Sequence, residues 1–179
     1  MDVKAQMKEL QISKLDAALR QLQTAILLYF NSRDPVSTHT LTAAAYNIMR
    51  DIRNSRGVSF DMFKDAHYVV DQYKDEFKRL LNKSENFFKH ADRDSTHLHR
   101  FQIATTELLL IDACDAYIKL TGEEPELIAI FKRWHAVRHP QYYLKNTAFH
   151  QVAVRVKTIY GESDKLQFMQ DCLQSKFKI

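Results

Sequence analysis

The chain is short of the residues that break helices. Its 179 residues include 3 glycines and 3 prolines, where average usage would make the two types together about 12% of a chain. So few breakers exclude collagen-like, low-complexity and turn-rich all-β chains. They also exclude glycine-built sites: a phosphate-cradling P-loop, a dinucleotide fingerprint and a nucleophile elbow. Cysteine is scarce too. Cys114 and Cys172 have no metal-type spacing and sit in apolar helical patterns, so they read as buried free thiols of a reducing compartment. Long apolar runs are absent. A stretch such as Leu108-Leu109-Leu110-Ile111 is far below the roughly 20 residues of a membrane span. The opening Met1-Asp2-Val3-Lys4-Ala5-Gln6 starts no signal-peptide core. No membrane association is expected, and the chain reads as soluble and cytoplasmic.

What is present is helical periodicity. The composition, 45% hydrophobic and 27% charged, is that of an ordinary globular chain, and the length suits a single all-helical domain over residues 1–179. Leu15, Leu19, Leu22, Ile26 and Phe30 recur every three or four residues after a capping Ser13. Asp34 and Pro35 then make a cap and a first helical position. The second helix runs to about Arg53 with Leu41, Ala45, Ile48 and Ile52 on one face, and Gly57 ends it. Phe63, Ala66, Val70, Tyr73, Phe77 and Leu80 continue the spacing, which predicts a third helix from about Ser59. A polar break follows over about 82–96. A fourth helix, 98–120, carries two apolar stripes and is expected at the centre. Gly122 stops it, and Pro125 and Pro140 bound a fifth. Two shorter helices are expected over 146–160 and 163–176, although Val152, Val154 and Val156 alternate as in a strand. The expected fold is all-α: a helical bundle of four or more core helices with additional C-terminal helices.

The 26 Lys+Arg against 22 Asp+Glu give a formal charge of +4, which permits a polyanionic partner without demanding one. The cations are segregated. Residues 127–161 contain Lys132, Arg133, Arg138, Lys145, Arg155 and Lys157 and no acid, so the first 126 residues are neutral to acidic. Trp134, Tyr142 and Tyr143 are interleaved. Cations with aromatics suit phosphate contact and base stacking; equally, Phe131 and Trp134 suit a core and the cations a solvated face. The nucleic-acid candidates are Lys89, Lys132, Arg133, Arg138 and Lys145.

Between the third and fourth helices lies the block Lys83-Ser84-Glu85-Asn86-Phe87-Phe88-Lys89-His90-Ala91-Asp92-Arg93-Asp94. One reading has Phe87 and Phe88 pinning a loop to the core while the charges are solvated. Another makes it a site. An imidazole can remove and return a proton near neutral pH, and Asn86 stands one helical turn before His90.

Asn86-Phe87-Phe88-Lys89-His90 resembles the second part of the HEPN motif, in which an Arg, a polar residue and a His compose a ribonuclease site on a small helical bundle. The resemblance implies an all-α fold, paired sites in a homodimer, no cofactor, and metal-independent RNA cleavage through the ribose 2′-hydroxyl. His90 would be the acid–base group, with Asn86 beside it. The family's Arg position falls on Glu85, whose carboxylate repels a phosphoryl transition state; Arg93 or Lys83 would have to supply the charge. The candidate catalytic residues are therefore His90, Asn86 and Arg93, in a degenerate ribonuclease or an RNA- or polyanion-binding protein. The NFFKHADRD block also resembles small bacterial proteins. The alternative is a non-catalytic module that dimerises or binds a protein partner through an apolar helix face.

Two further patterns involve histidine. His135 and His139 stand at i and i+4, a spacing that holds zinc, but Ala136 occupies the position of a metalloprotease glutamate and no acid lies nearby in sequence. His90, Asp92, Asp94, His97 and His99 form a second grouping of the same kind. No metal is assigned to either. His39 lies off the Leu41 stripe, with Ala43 and Tyr46 on its side, and is expected to face a neighbour close to the 85–94 block.

Overall fold

The structure is a computed structural model that describes residues 9–90, 96–145 and 147–174. Among them are seven α-helices and no strand: α1 (Lys14–Phe30), α2 (Pro35–Arg56), α3 (Lys74–Lys89), α4 (Ala104–Thr121), α5 (Glu126–Arg138), α6 (Ala148–Lys157) and α7 (Lys165–Leu173). The protein is an all-α bundle. Helices α1, α2, α4 and α5 pack together, α3 lies against α2, and α6 and α7 lie against α5.

The first two helices begin and end as local chemistry dictates. The Ser13 hydroxyl accepts from the Asp16 amide at 3.0 Å, and the Asp34 carboxylate accepts from the Ser37 amide at 2.8 Å, satisfying amides that have no intrahelical partner. Pro35 occupies the first turn of α2, and Gly57 closes it in the left-handed region at φ 63°, where glycine carries no steric cost. Between α1 and α2, the link 31–34 folds one helix back on the other. Leu22, Ile26 and Phe30 of α1, Ala45, Tyr46 and Met49 of α2, Leu109, Leu110 and Ala113 of α4, and Phe131 and Trp134 of α5 form one buried core. Trp134 is 1% exposed, and its indole N–H donates to the Tyr29 hydroxyl at 3.1 Å.

Three expectations are corrected. No helix starts at Ser59: α3 begins at Lys74 and runs through the polar stretch 82–89, and 59–73 is irregular with two short 3-10 turns, 63–65 and 71–73. The apolar residues there do pack, but their backbone bonds go elsewhere. The Met62 amide donates to the Asp65 carboxylate, the Phe63 amide to Asp112 and the Lys64 amide to the Tyr46 hydroxyl. Ala66 then turns at φ 58°, a conformation no helix interior adopts. The second correction concerns α4, which starts at Ala104. Leu98 is 91% exposed, so the stripe running from it faces solvent in part, while Leu109, Leu110, Ala113, Cys114 and Tyr117 turn inward. The third concerns Cys172, which is half-buried, whereas Cys114 is buried; both are free thiols. The alternating valines form no strand: Thr147 caps α6, which buries Ala153 and Val156 and exposes Val154.

Candidate functional site

Helix α3 presents the motif residues at its C-terminal end. Glu85 is buried and accepts from Lys64 Nζ at 2.7 Å, Lys89 Nζ at 2.6 Å and Asn47 Nδ2 at 2.5 Å. Burial alone would raise its pKa, but the two ammonium groups outweigh it and hold the carboxyl below its ordinary value. The Glu85 carboxylate is thus neutralised from two sides, and Lys89 is committed to it. Asn86 and His90 are exposed; the His90 amide donates to the Asn86 carbonyl at 3.1 Å, and His90, in an extended conformation, terminates the helix. Arg93, with Asp92 and Asp94, lies outside the described residues.

Phe87 and Phe88 anchor this end of α3. Phe88 packs edge-on against Phe101 and against His39, whose ring is fully buried. Phe87 packs against the tilted ring of His99, whose Nε2 is 2.8 Å from the Ser84 hydroxyl. His39 does therefore reach the 85–94 block. Its Nδ1 is bonded to the Thr106 hydroxyl at 3.0 Å, and burial, with Lys64 nearby, lowers its pKa from 6.5 to about 4.

Beside Glu85, a polar cleft of about 370 Å³ opens between α2, the 59–73 segment and α3. Arg50, Asp51 and Asn54 line one wall, Lys64, Asp65 and His67 the floor, and Lys78 and Asn82 the other wall. The buried Arg53 guanidinium engages Asp65, while Arg50 and Lys78 have no ion-pair partner among the described residues. Arg50, Arg53, Lys64, Lys78 and Lys89 outnumber Asp51, Asp65 and Glu85, so the cleft and its edge hold more positive than negative charge.

The acid-free segment does not make one basic face. Lys132 lies 3.0 Å from Asp115 and 3.5 Å from Glu124, and Arg138 pairs with Glu162 and stacks over the Trp134 ring. These acids lie outside 127–161 and return to it in space. Lys132 and half-buried Arg133 edge an apolar groove of about 560 Å³ between α5 and α6, lined by Ala136, Val137, Phe149 and Val156. Lys145 is exposed. Trp134 belongs to the core and is not free to stack on a base.

The two histidines of α5 acquire the acid their sequence neighbourhood lacks. Glu107, in the first turn of α4, places its Oε1 3.2 Å from His139 Nε2, and ligand atoms of Glu107, His135 and His139 all lie within 4.8 Å of one another. Pro140 stops α5, and the turn 140–142 brings two tyrosines back onto the pair. The Tyr143 hydroxyl is 2.8 Å from His135 Nδ1, and the Tyr142 ring stacks on His139 at 5.4 Å and 13°. His135 is 5% exposed, its Nε2 has no partner, and burial together with His139 lowers its pKa from 6.5 to about 4, leaving the imidazole neutral at physiological pH. Burial, with the negative charge of Asp115 adding to it, pushes the Tyr143 phenol up to about 12. Glu107 and His139 also edge a cleft of about 230 Å³ with Tyr29, Arg138, Glu162 and Lys165. Sequence spacing flags the histidines; Glu107 comes from another helix and carries no local signal. Arg50 and Lys78 were likewise invisible as a pair.

No protein-family model matches the chain, and neither the curated proteins nor the solved structures include a significant match.

Proposed function

We propose that the protein binds RNA or another phosphate-rich partner along the α2–α3 cleft, as a HEPN-like helical protein without the full ribonuclease charge set. The observation that carries this reading is the pair Arg50 and Lys78, cations without ion-pair partners among the described residues, facing each other across an open polar cleft. Lys78, Asn82, Asn86 and Lys89 lie along one face of α3, so a phosphodiester backbone seated at Arg50 and Lys78 runs on toward Asn86 and His90. Guanidinium and ammonium groups attract phosphate, and the asparagine amides donate to its oxygens. Glu85, held by two lysines, adds little repulsion but supplies no cation for a phosphoryl transition state. Binding is therefore expected to exceed cleavage.

The test is fluorescence anisotropy with labelled single-stranded RNA at low salt. The intact protein binds, the Arg50→Ala/Lys78→Ala double variant binds about tenfold or more weakly, as loss of two charge-assisted contacts requires, and any cleavage disappears in His90→Ala. No binding by the intact protein overturns the reading.

The groove between α5 and α6 favours a second reading, a protein-interaction module. Its apolar walls with Arg133 at the edge suit an amphipathic helix bearing an acidic residue. Arg133→Glu would then abolish partner capture in a pull-down and leave RNA binding unchanged.

A further inference from the structure

We propose that Glu107, His135 and His139 form a binding site for a divalent transition-metal ion of the zinc class, with a coordination position open toward the cleft edged by Tyr29, Arg138 and Lys165. The donor set is two imidazoles and one carboxylate, which is that of a three-ligand site able to hold a fourth, exchangeable ligand. Two such ligands about 2.1 Å from one ion at the tetrahedral angle stand about 3.4 Å apart. The Glu107 oxygen and His139 Nε2 are 3.2 Å apart. No separation in the group exceeds 4.8 Å, so closing it takes a movement of at most about 1.4 Å shared between side chains.

A simple hydrogen bond from His139 to Glu107 accounts for that pair alone. It leaves His135 unexplained. This imidazole is 5% exposed, and its Nε2 is buried without a partner, an arrangement that is costly unless something binds there. Its other nitrogen faces the Tyr143 hydroxyl at 2.8 Å. A hydroxyl accepting from Nδ1–H fixes the tautomer that frees Nε2 for a metal, as the outer partners of metal-bound histidines do. Tyr142, stacked on His139, holds the second ring. Both histidines are thus oriented by one turn before any ion arrives. The site lies on α4 and α5, apart from the α2–α3 cleft, and does not rest on the RNA reading.

The experiment uses the full chain, stripped with a chelator, and titrates it with zinc alone by calorimetry and with cobalt alone by visible absorption. Expected are one ion per chain, the ligand-field bands of a nitrogen–oxygen site, and a rise in Tm with zinc. Glu107→Gln, which keeps the side-chain shape, weakens binding at least tenfold. His139→Ala abolishes it, and His97→Ala, a histidine outside the group that packs against Phe87, leaves it unchanged. Should His139→Ala fail to fold, Glu107→Gln alone decides. Absence of stoichiometric binding to the intact protein, or binding that Glu107→Gln leaves unaltered, overturns the proposal.

Discussion

Glu85 is buried and held by two lysines and an asparagine, and its surroundings make it structural. Three donors converge on a carboxylate that is buried between α3, α2 and the 59–73 segment. Removing one member of a buried pair leaves the other charge desolvated, at a cost of about 3–5 kcal/mol. Glu85→Ala should therefore destabilise the protein by about 3 kcal/mol in urea denaturation, whereas Asn86→Ala, exposed on the same turn, should change stability by less than about 0.5 kcal/mol. His39 adds a pH dependence. It is neutral when folded, with its pKa lowered to about 4 against 6.5 in the unfolded chain, so the unfolded chain binds the extra proton between those values. Stability is full above about pH 7 and falls as pH drops through 6.5 toward 4, by on the order of 2 kcal/mol. Lys64, Lys89 and His99 around the ring also oppose its protonation, and Glu85 favours it. His39→Gln should flatten that part of the stability–pH curve.

At the scale of elements, the caps decide what the sequence reveals. Ser13, Asp34-Pro35, Gly57 and Gly122 each sit where their side chain or φ fits the end of a helix, so α1, α2 and the end of α4 can be read from local chemistry. Gly122 adopts φ 74° with open space where a Cβ would go; Gly122→Ala should cost about 1 kcal/mol from backbone strain alone. Asp34→Ala should cost a similar amount through the lost cap. The 59–73 segment defeats periodicity because its three- and four-residue apolar spacing is real, yet side chains of Asp65, Asp112 and Tyr46 capture its amides. Those partners lie up to 49 positions away, beyond the reach of a local pattern. The polar residues 82–89 look like a loop for the converse reason: their helix is stabilised through Glu85 and Phe88, which are single anchors with no repeating stripe.

For the whole molecule, charge segregated along the chain is not charge segregated in space. Asp115, Glu124 and Glu162 return to the acid-free 127–161 segment and pair with Lys132 and Arg138, while the α2–α3 cleft draws its cations from elements that are unremarkable in composition. The His135–His139 pair was legible, and Glu107 was not, for the same reason: the fold brings together residues from separate helices. The proposed seating of phosphate groups on Arg50, Lys78 and the edge of α3 is tested by the salt dependence of RNA binding. Neutralising about three phosphates of a single strand gives a slope of log K against log salt near −2, and removing Arg50 and Lys78 together should make it shallower by about 1.4. A slope near zero in the intact protein, or an unchanged slope in the double variant, would rule out phosphate binding in the cleft.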